Sequence, residues 1–191
     1  MPEPRKRPRN AEATRTAIEA SARRHFEASG YDAVGLREIA RDAGVDAALI
    51  SRYYGSKKGL FVSAVLPHFD ITPLVQGDMD DFGARAVRLM FDPGHKQGFD
   101  PNRALLNSIG SSEVGPQINA ALTDKVVEVL ADRIGGAQAR IRAGLIIAVL
   151  TGVDTLYRIA RLNALAGADQ AVLGALLSAS LQAIVDGGGK E

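Results

Sequence analysis

The chain has 191 residues, 46% of them apolar but only 5% aromatic, and it contains neither cysteine nor tryptophan. That length accommodates one helical body or a small head joined to a larger one, with an interior built mainly from Ala, Leu, Ile and Val, a mixture that favours helices over sheets. The lack of cysteine excludes disulfides, Cys-ligated metals and thiol nucleophiles. The formal charge of +1 hides an asymmetry: residues 1–60 carry 12 Lys+Arg and 8 Asp+Glu, net +4, and residues 61–191 carry 11 and 14, net −3. The basic end is the one suited to face a polyanion.

Residues 1–10 are rich in Pro, Arg and Lys without an apolar period and read as a disordered basic arm. An apolar stretch of the secretory type does not follow them, so the chain reads as non-exported and cytoplasmic. A periodic segment then begins. Ile18, Ala22 and Phe26 recur every fourth residue with Arg15, Glu19, Arg23 and Glu27 between them, which predicts an amphipathic helix ended by Gly30.

Leu36, Ile39, Ala40 and Ala43 fall at i, i+3, i+4 and i+7, the spacing of one face of a two-turn helix. Gly44 can reverse the chain, Val45 can plug the corner, and Asp46 is a good N-cap for a short second helix over Ala47–Tyr53 anchored by Leu49 and Ile50. Helix, tight turn, helix is the geometry that lays a second helix in the major groove; it is also a corner found in other all-α proteins. The run Tyr53-Tyr54-Gly55-Ser56-Lys57-Lys58-Gly59-Leu60-Phe61 joins an aromatic pair to a Ser-capped basic helix start, a combination suited to phosphate contact, although Tyr54 can equally pack between helices.

These residues carry a resemblance. Ile39-Ala40, Ala43-Gly44-Val45, Tyr53-Tyr54-Gly55-Ser56-Lys57 and Leu60-Phe61 appear in the order and spacing of the N-terminal domain of TetR-family regulators, and the likeness covers residues 12–66. It implies that Arg37 and Tyr53 lie near the DNA backbone and that Ala47, Ala48, Ser51 and Arg52 face base edges. Arg52 can donate two hydrogen bonds to guanine or bond a nearby phosphate. Gly35, Asp46 and Lys58 stand where the family commonly has Thr, Ser and an acidic residue, which shifts the expected phosphate contacts towards Lys57 and Lys58. Arg5, Lys6, Arg7 and Arg9 either add minor-groove contacts or form a solvated tail.

Pro67, Pro73, Gly77 and the acidic cluster Asp78, Asp80, Asp81 interrupt the pattern and read as the junction between head and body, either a hinge or a set of caps for the next helix. Beyond it, helices are predicted near 80–92, 101–112, 115–134, 137–163 and 168–186, with no competing strand pattern. The most apolar run, Gly144–Val153 between Arg142 and Asp154, is far short of the roughly 20 residues that span a bilayer and reads as a buried helix. Ala143–Val153 is apolar nearly all round and Val172–Val185 is rich in Ala, Leu and Ser, so the last two helices call for a partner on a second side; an isologous four-helix dimer supplies it, and the resemblance implies the same.

The expected architecture is therefore all-α: the arm, a three-helix helix-turn-helix head over 11–66, a helical-bundle ligand-binding and dimerisation domain over 67–186, and a flexible tail over 187–191. The expected function is a homodimeric repressor that binds a palindromic double-stranded operator, associated with the nucleoid, and is released by a small-molecule effector. The alternative is a DNA-binding or protein-interaction module of the same fold without an effector. Candidate pocket residues are Met90, Phe91, Phe99, Asn107, Asp154, Tyr157 and Arg158; Asp154 and Arg158, at i and i+4, can instead pair with each other, and Met90, Phe91 and Phe99 can be plain core. His25, His68 and His95 are isolated and no glycine-rich phosphate loop is present, so no catalytic constellation, metal or cofactor site is expected.

Overall fold

The period-four face of the first helix is the foundation of the head: Ile18, Ala22 and Phe26 are fully buried along α1 (Pro8–Ala33). The computed structural model describes residues 8–92 and 98–187. Helix α1 opens at Pro8, within the stretch 1–10 expected as an arm; Arg5, Lys6, Arg7, the side chain of Arg9, His95 and residues 188–191 of the expected tail lie outside the described residues. After α1 come α2 (Leu36–Asp42), α3 (Ala47–Tyr54) and α4 (Lys57–Ala64). A 3-10 turn, Leu66–His68, follows. Later elements are α5 (Thr72–Val75), α6 (Phe82–Phe91), α7 (Pro101–Ser108), α8 (Gly115–Leu122), α9 (Glu128–Ile134), α10 (Ala139–Asp154), α11 (Asn163–Ala166) and α12 (Gln170–Asp186). No strand occurs among the described residues, and no helix there is long and apolar enough to cross a membrane.

The chain packs as two compact units, one made of residues up to Phe69 together with Gly98–Ala121, the other of Asp70–Gln97 together with Leu122 onward. The sequence grouped 98–121 with the body, but α7 lies along α1. Gly30 explains how. Its φ of 74° and ψ of 175° belong to a region open almost only to glycine, and a Cβ there would sit 2.1 Å from the Asn107 carbonyl oxygen. With the two backbones this close, polar groups staple them: Tyr31 N donates to Ser108 Oγ at 3.0 Å, Asn107 Nδ2 to the Glu27 carbonyl at 2.8 Å, and Ser111 Oγ to Asp32 at 2.8 Å. Ser108 and Ser111 are buried, so these bonds satisfy groups that would otherwise be stranded.

Phe26, Tyr31 and Phe61 form an aromatic knot with centroid separations of 5.1 to 6.0 Å. Burying each ring contributes about 1.5–3 kcal/mol. On the far side of α1, Ser21 Oγ and Arg24 each donate to the Asp42 carboxylate at 2.6 Å, clasping the end of α2 to α1, with His25 Nε2 at 3.7 Å. These hydrogen bonds, Ser21's first and Arg24's second, hold the Asp42 carboxyl below its usual range.

In the second unit the core gathers Leu74, Phe82, Ala86, Leu130, Ala143, Ile146, Leu177 and Leu181. Two arginines organise its polar edges. Arg85, buried, donates to the carbonyls of Leu74 and Asp78 and to the Asp81 carboxylate, holding the 74–81 loop. Asp78 caps the 3-10 turn Met79–Asp81 and Asp81 pairs with Arg85, whereas α6 itself has no side-chain cap, so the cluster does not cap that helix directly. Arg142 donates to the carbonyls of Val185 and Gly135, closing the ends of α12 and α9. The predicted helix 115–134 is helical throughout but contains a π-helical turn, Thr123–Val127. The predicted helix 137–163 is shorter: after a π-helical turn, Thr155–Ile159, Arg161 turns left-handed at φ 51° and α11 begins separately.

Gly30→Ala should destabilise the protein by about 3 kcal/mol or more, through the φ penalty and the collision with Asn107, and thermal melting measures it. Because the Asp42 carboxyl is lowered by folding, its contribution is present above the unfolded carboxylate value of about 4 and is lost as pH falls through the folded value. The melting-temperature gap between the native chain and Asp42→Asn should therefore be full near neutrality and shrink in acid; a pH-independent gap would contradict this.

Candidate nucleic-acid interface

Between α2 and α3 the backbone closes as a Schellman turn: Val45 N donates to the Ala40 carbonyl at 2.9 Å and Gly44 N to the Arg41 carbonyl at 3.2 Å, with Gly44 at φ 67°. Asp46 then caps α3, accepting from Ala48 N at 2.7 Å. Gly35 has no hydroxyl to cap α2, which leaves only the reciprocal half of a capping box, the Glu38 carboxylate accepting from Gly35 N at 3.0 Å. The turn expected from sequence is thus built, and α3 is presented on a short, capped corner.

Helix α3 divides into two faces. Ile50 is fully buried, Leu49 is half-buried, and Tyr54 packs against α1 by donating from its hydroxyl to Glu19 Oε1 at 3.1 Å. Burial and the Glu19 carboxylate push the Tyr54 hydroxyl up to about 12, so it remains a neutral donor. The opposite face carries Ala48, Ser51 and Arg52, all exposed, with half-buried Ala47 beside them. Positions 47, 48, 51 and 52 are spaced to share one helix face. That face is small except for one long cationic side chain, a profile that permits close approach to a base-pair edge while placing one fork of donors there.

Arg37 is exposed near the start of α2. Half-buried Tyr53 lies beneath the Arg15 guanidinium, 5.0 Å from the ring centroid. Arg15 was not singled out from the sequence: it read as one of the charges separating the apolar positions of α1, and only the packing of α1 against α3 shows that it stands on Tyr53. Lys58 Nζ lies 3.0 Å from the side-chain amide of Gln117, whose oxygen accepts from it.

Lys57 is placed differently from a surface phosphate ligand. Its ammonium donates to the Tyr31 and Val34 carbonyls, each at 3.0 Å, and sits 4.2 Å from the Tyr31 ring centroid. Two of its three N–H groups are therefore committed to closing the C-terminal end of α1, and one is left for any other partner. Ser56 caps α4 by accepting from Gly59 N at 3.0 Å.

The seven pocket candidates do not form one cluster. Asn107 and Phe99 belong to the first unit, where the Asn107 amide holds the Glu27 carbonyl and the Phe99 ring stands 5.1 Å from His68. In the second unit, Phe91 meets Tyr157 edge to face at 5.3 Å, and Met90 packs half-buried on the core. Arg158 grips Asp154 through two bonds of 2.9 and 2.7 Å, the i, i+4 pairing its spacing allows. A solvent-open cavity of about 490 Å³ in this unit is lined by Pro73, Arg85, Arg88, Leu89, Phe91 and Asp92; of these only Phe91 was among the sequence candidates.

Comparison with known proteins gives this geometry a family. A model described as bacterial regulatory proteins, tetR family, matches residues 18–64, and one described as the C-terminal domain of tetracyclin repressor-like proteins matches residues 80–185, more than half of the chain. No match was found among curated proteins. A crystal structure of a TetR-family regulator from Streptomyces coelicolor is 30% identical over 96% of this chain and 99% of its own, with a TM-score of 0.62. NalD of Pseudomonas aeruginosa, the secondary repressor of the MexAB-OprM multidrug efflux pump, is 21% identical over 91% of this chain and 95% of its own, with a TM-score of 0.64, a likeness of fold. With a family model matched over more than half its length and a 30%-identical relative covered almost end to end, the chain belongs to the TetR family of DNA-binding transcription regulators.

Proposed function

We propose that the protein is a homodimeric repressor that reads a palindromic operator in the bacterial cytoplasm, at the nucleoid, and is released by a small molecule. The observation that carries this reading is the exposed Ala48, Ser51, Arg52 face of a helix held by Asp46, Ile50 and Tyr54. In this reading Arg52 reads a guanine edge, Ala47, Ala48 and Ser51 make close contacts with neighbouring bases, and Arg37, Tyr53 and Lys58 meet phosphates. Lys57 acts chiefly by fixing the end of α1 against α4, with its remaining N–H turned to phosphate. Repression as the sign of control draws support from NalD, itself a repressor.

Dimerisation through the last two helices is supported by apolar side chains that the second unit leaves in solvent. On α10, Ile141 and Leu145 are 64% and 51% exposed; on α12, Val172 and Leu176 are 58% and 65% exposed. Large aliphatic side chains left in solvent along α10 and α12 are what a self-complementary interface would cover. Effector release draws support from the solvent-open cavity of the second unit, which combines apolar and cationic side chains.

Selection of bound duplexes from a random pool should return a palindrome, and titrating binding of the winner against salt should show a steep negative slope. Arg52→Ala should lower discrimination at one base position by about tenfold, the weight of a bidentate guanine contact, whereas Arg37→Ala should weaken binding to all sequences and flatten the salt slope by about one unit. Sequence-indifferent binding by the native chain would reject the regulator reading in favour of a protein-interaction module. In sedimentation, Leu176→Glu should shift the protein from dimer to monomer, and an unchanged dimer would place the interface elsewhere.

A further inference from the structure

The cavity of the second unit has a chemical bias that identifies what it can hold. Arg85, Arg88, Leu89 and Asp92 follow one another at i, i+3, i+4 and i+7 along and just past α6, so they share a face, and Pro73 and Phe91 complete the wall. Pro73, Leu89 and Phe91 supply apolar surface, which continues through the edge-to-face contact of Phe91 with Tyr157. Two of the three polar side chains in the lining have close partners. Arg85 is buried and bonded to Leu74, Asp78 and Asp81, and Asp92 has a partner of its own. Arg88 is the exception: its side chain is 66% exposed, and its ion-pair partner, the Asp81 carboxylate, stands at 3.9 Å, beyond hydrogen-bond reach, with its other oxygen taken by Arg85.

A guanidinium has five donors in a planar fork that matches the two oxygens of a carboxylate, and it accepts nothing. An organic cation placed in this cavity would face two guanidinium groups against the single carboxylate of Asp92, and a neutral alcohol would engage fewer of the Arg88 donors than a carboxylate does. No group of three or more His, Cys, Asp or Glu able to hold a metal exists among the described residues. We propose that the effector is an organic monocarboxylate with an apolar body, its carboxylate seated on the Arg88 fork and its body against Leu89, Phe91 and Pro73. This rests on the reading of the protein as a ligand-released repressor and names the ligand class.

Three nearly isosteric probes separate the possibilities: phenylbutanoate, phenylbutanol and phenylbutylamine, each titrated calorimetrically into the full-length dimer. The acid should bind at least about tenfold more tightly than the other two, the scale of one charge-assisted bidentate contact. Arg88→Gln should erase that margin, and Arg88→Lys, which keeps the charge without the fork, should restore only part of it. Melting curves of both variants check that this surface substitution leaves the fold intact. Equal binding of acid and alcohol, tighter binding of the amine, no binding of any probe at millimolar concentration, or a preference that survives Arg88→Gln would each overturn the proposal. Operator release is read separately: an acid that binds without releasing DNA keeps the anion site and rejects the effector reading. Release by another small molecule, with no acid bound, rejects the anion site and keeps that reading.

Discussion

Tyr31 is the point on which the DNA-reading unit closes. Its ring is buried against Phe26 and Phe61, its face carries the Lys57 ammonium, its carbonyl accepts from that ammonium, and its amide donates to Ser108. Three helices therefore meet at one residue: the end of α1, α4 through both Lys57 at its start and Phe61 in its middle, and the end of α7 through Ser108. An ammonium held by two carbonyls over an aromatic face is more firmly placed than a surface ion pair, because it is partly desolvated and two of its three donors are fixed. The neighbouring Gly30 is the condition for the arrangement, since only a residue without a side chain lets the α7 backbone reach this corner.

The two units solve their polar problems differently. In the first, short side chains bridge backbones that have come close: Ser21, Asn107, Ser108 and Ser111 each satisfy one group across an interhelical contact. In the second, two long arginines reach several carbonyls each, Arg85 for the 74–81 loop and Arg142 for the ends of α9 and α12. A guanidinium can serve several orphan carbonyls at once, which suits a bundle whose helices end at one edge. Its apolar surplus is left on α10 and α12, where Ile141, Leu145, Val172 and Leu176 face water in the single chain.

Residue periodicity carried a large part of this architecture. The fourfold spacing of Ile18, Ala22 and Phe26, the Ile39-Ala40 pair, and the Gly44-Val45-Asp46 corner each specify a local structure whose hydrogen bonds close within a few residues, and each is present. The limits appear where partners are distant in the chain. Nothing in the spacing around Lys57 distinguishes an ammonium facing phosphate from one facing the Tyr31 carbonyl, 26 positions away. Asn107 read as an inward polar residue of the body, yet its amide meets Glu27, 80 positions earlier. Arg88 stands out in no pattern of the sequence, because the cavity wall it forms with Pro73 depends on another segment.

What the sequence by itself determined is the set of local decisions: all-helical composition, the helix-turn-helix corner with its caps, the family to which that corner belongs, and the apolar excess of the last two helices. These follow from interactions at short separation, where residue type and spacing are sufficient. Only the tertiary structure decided that α7 joins the reading unit, that Lys57 holds α1 rather than standing free, and which polar groups line the cavity of the second unit. Those outcomes depend on which backbones can approach one another in space, and that is set by the sum of the packing and not by any single stretch of chain.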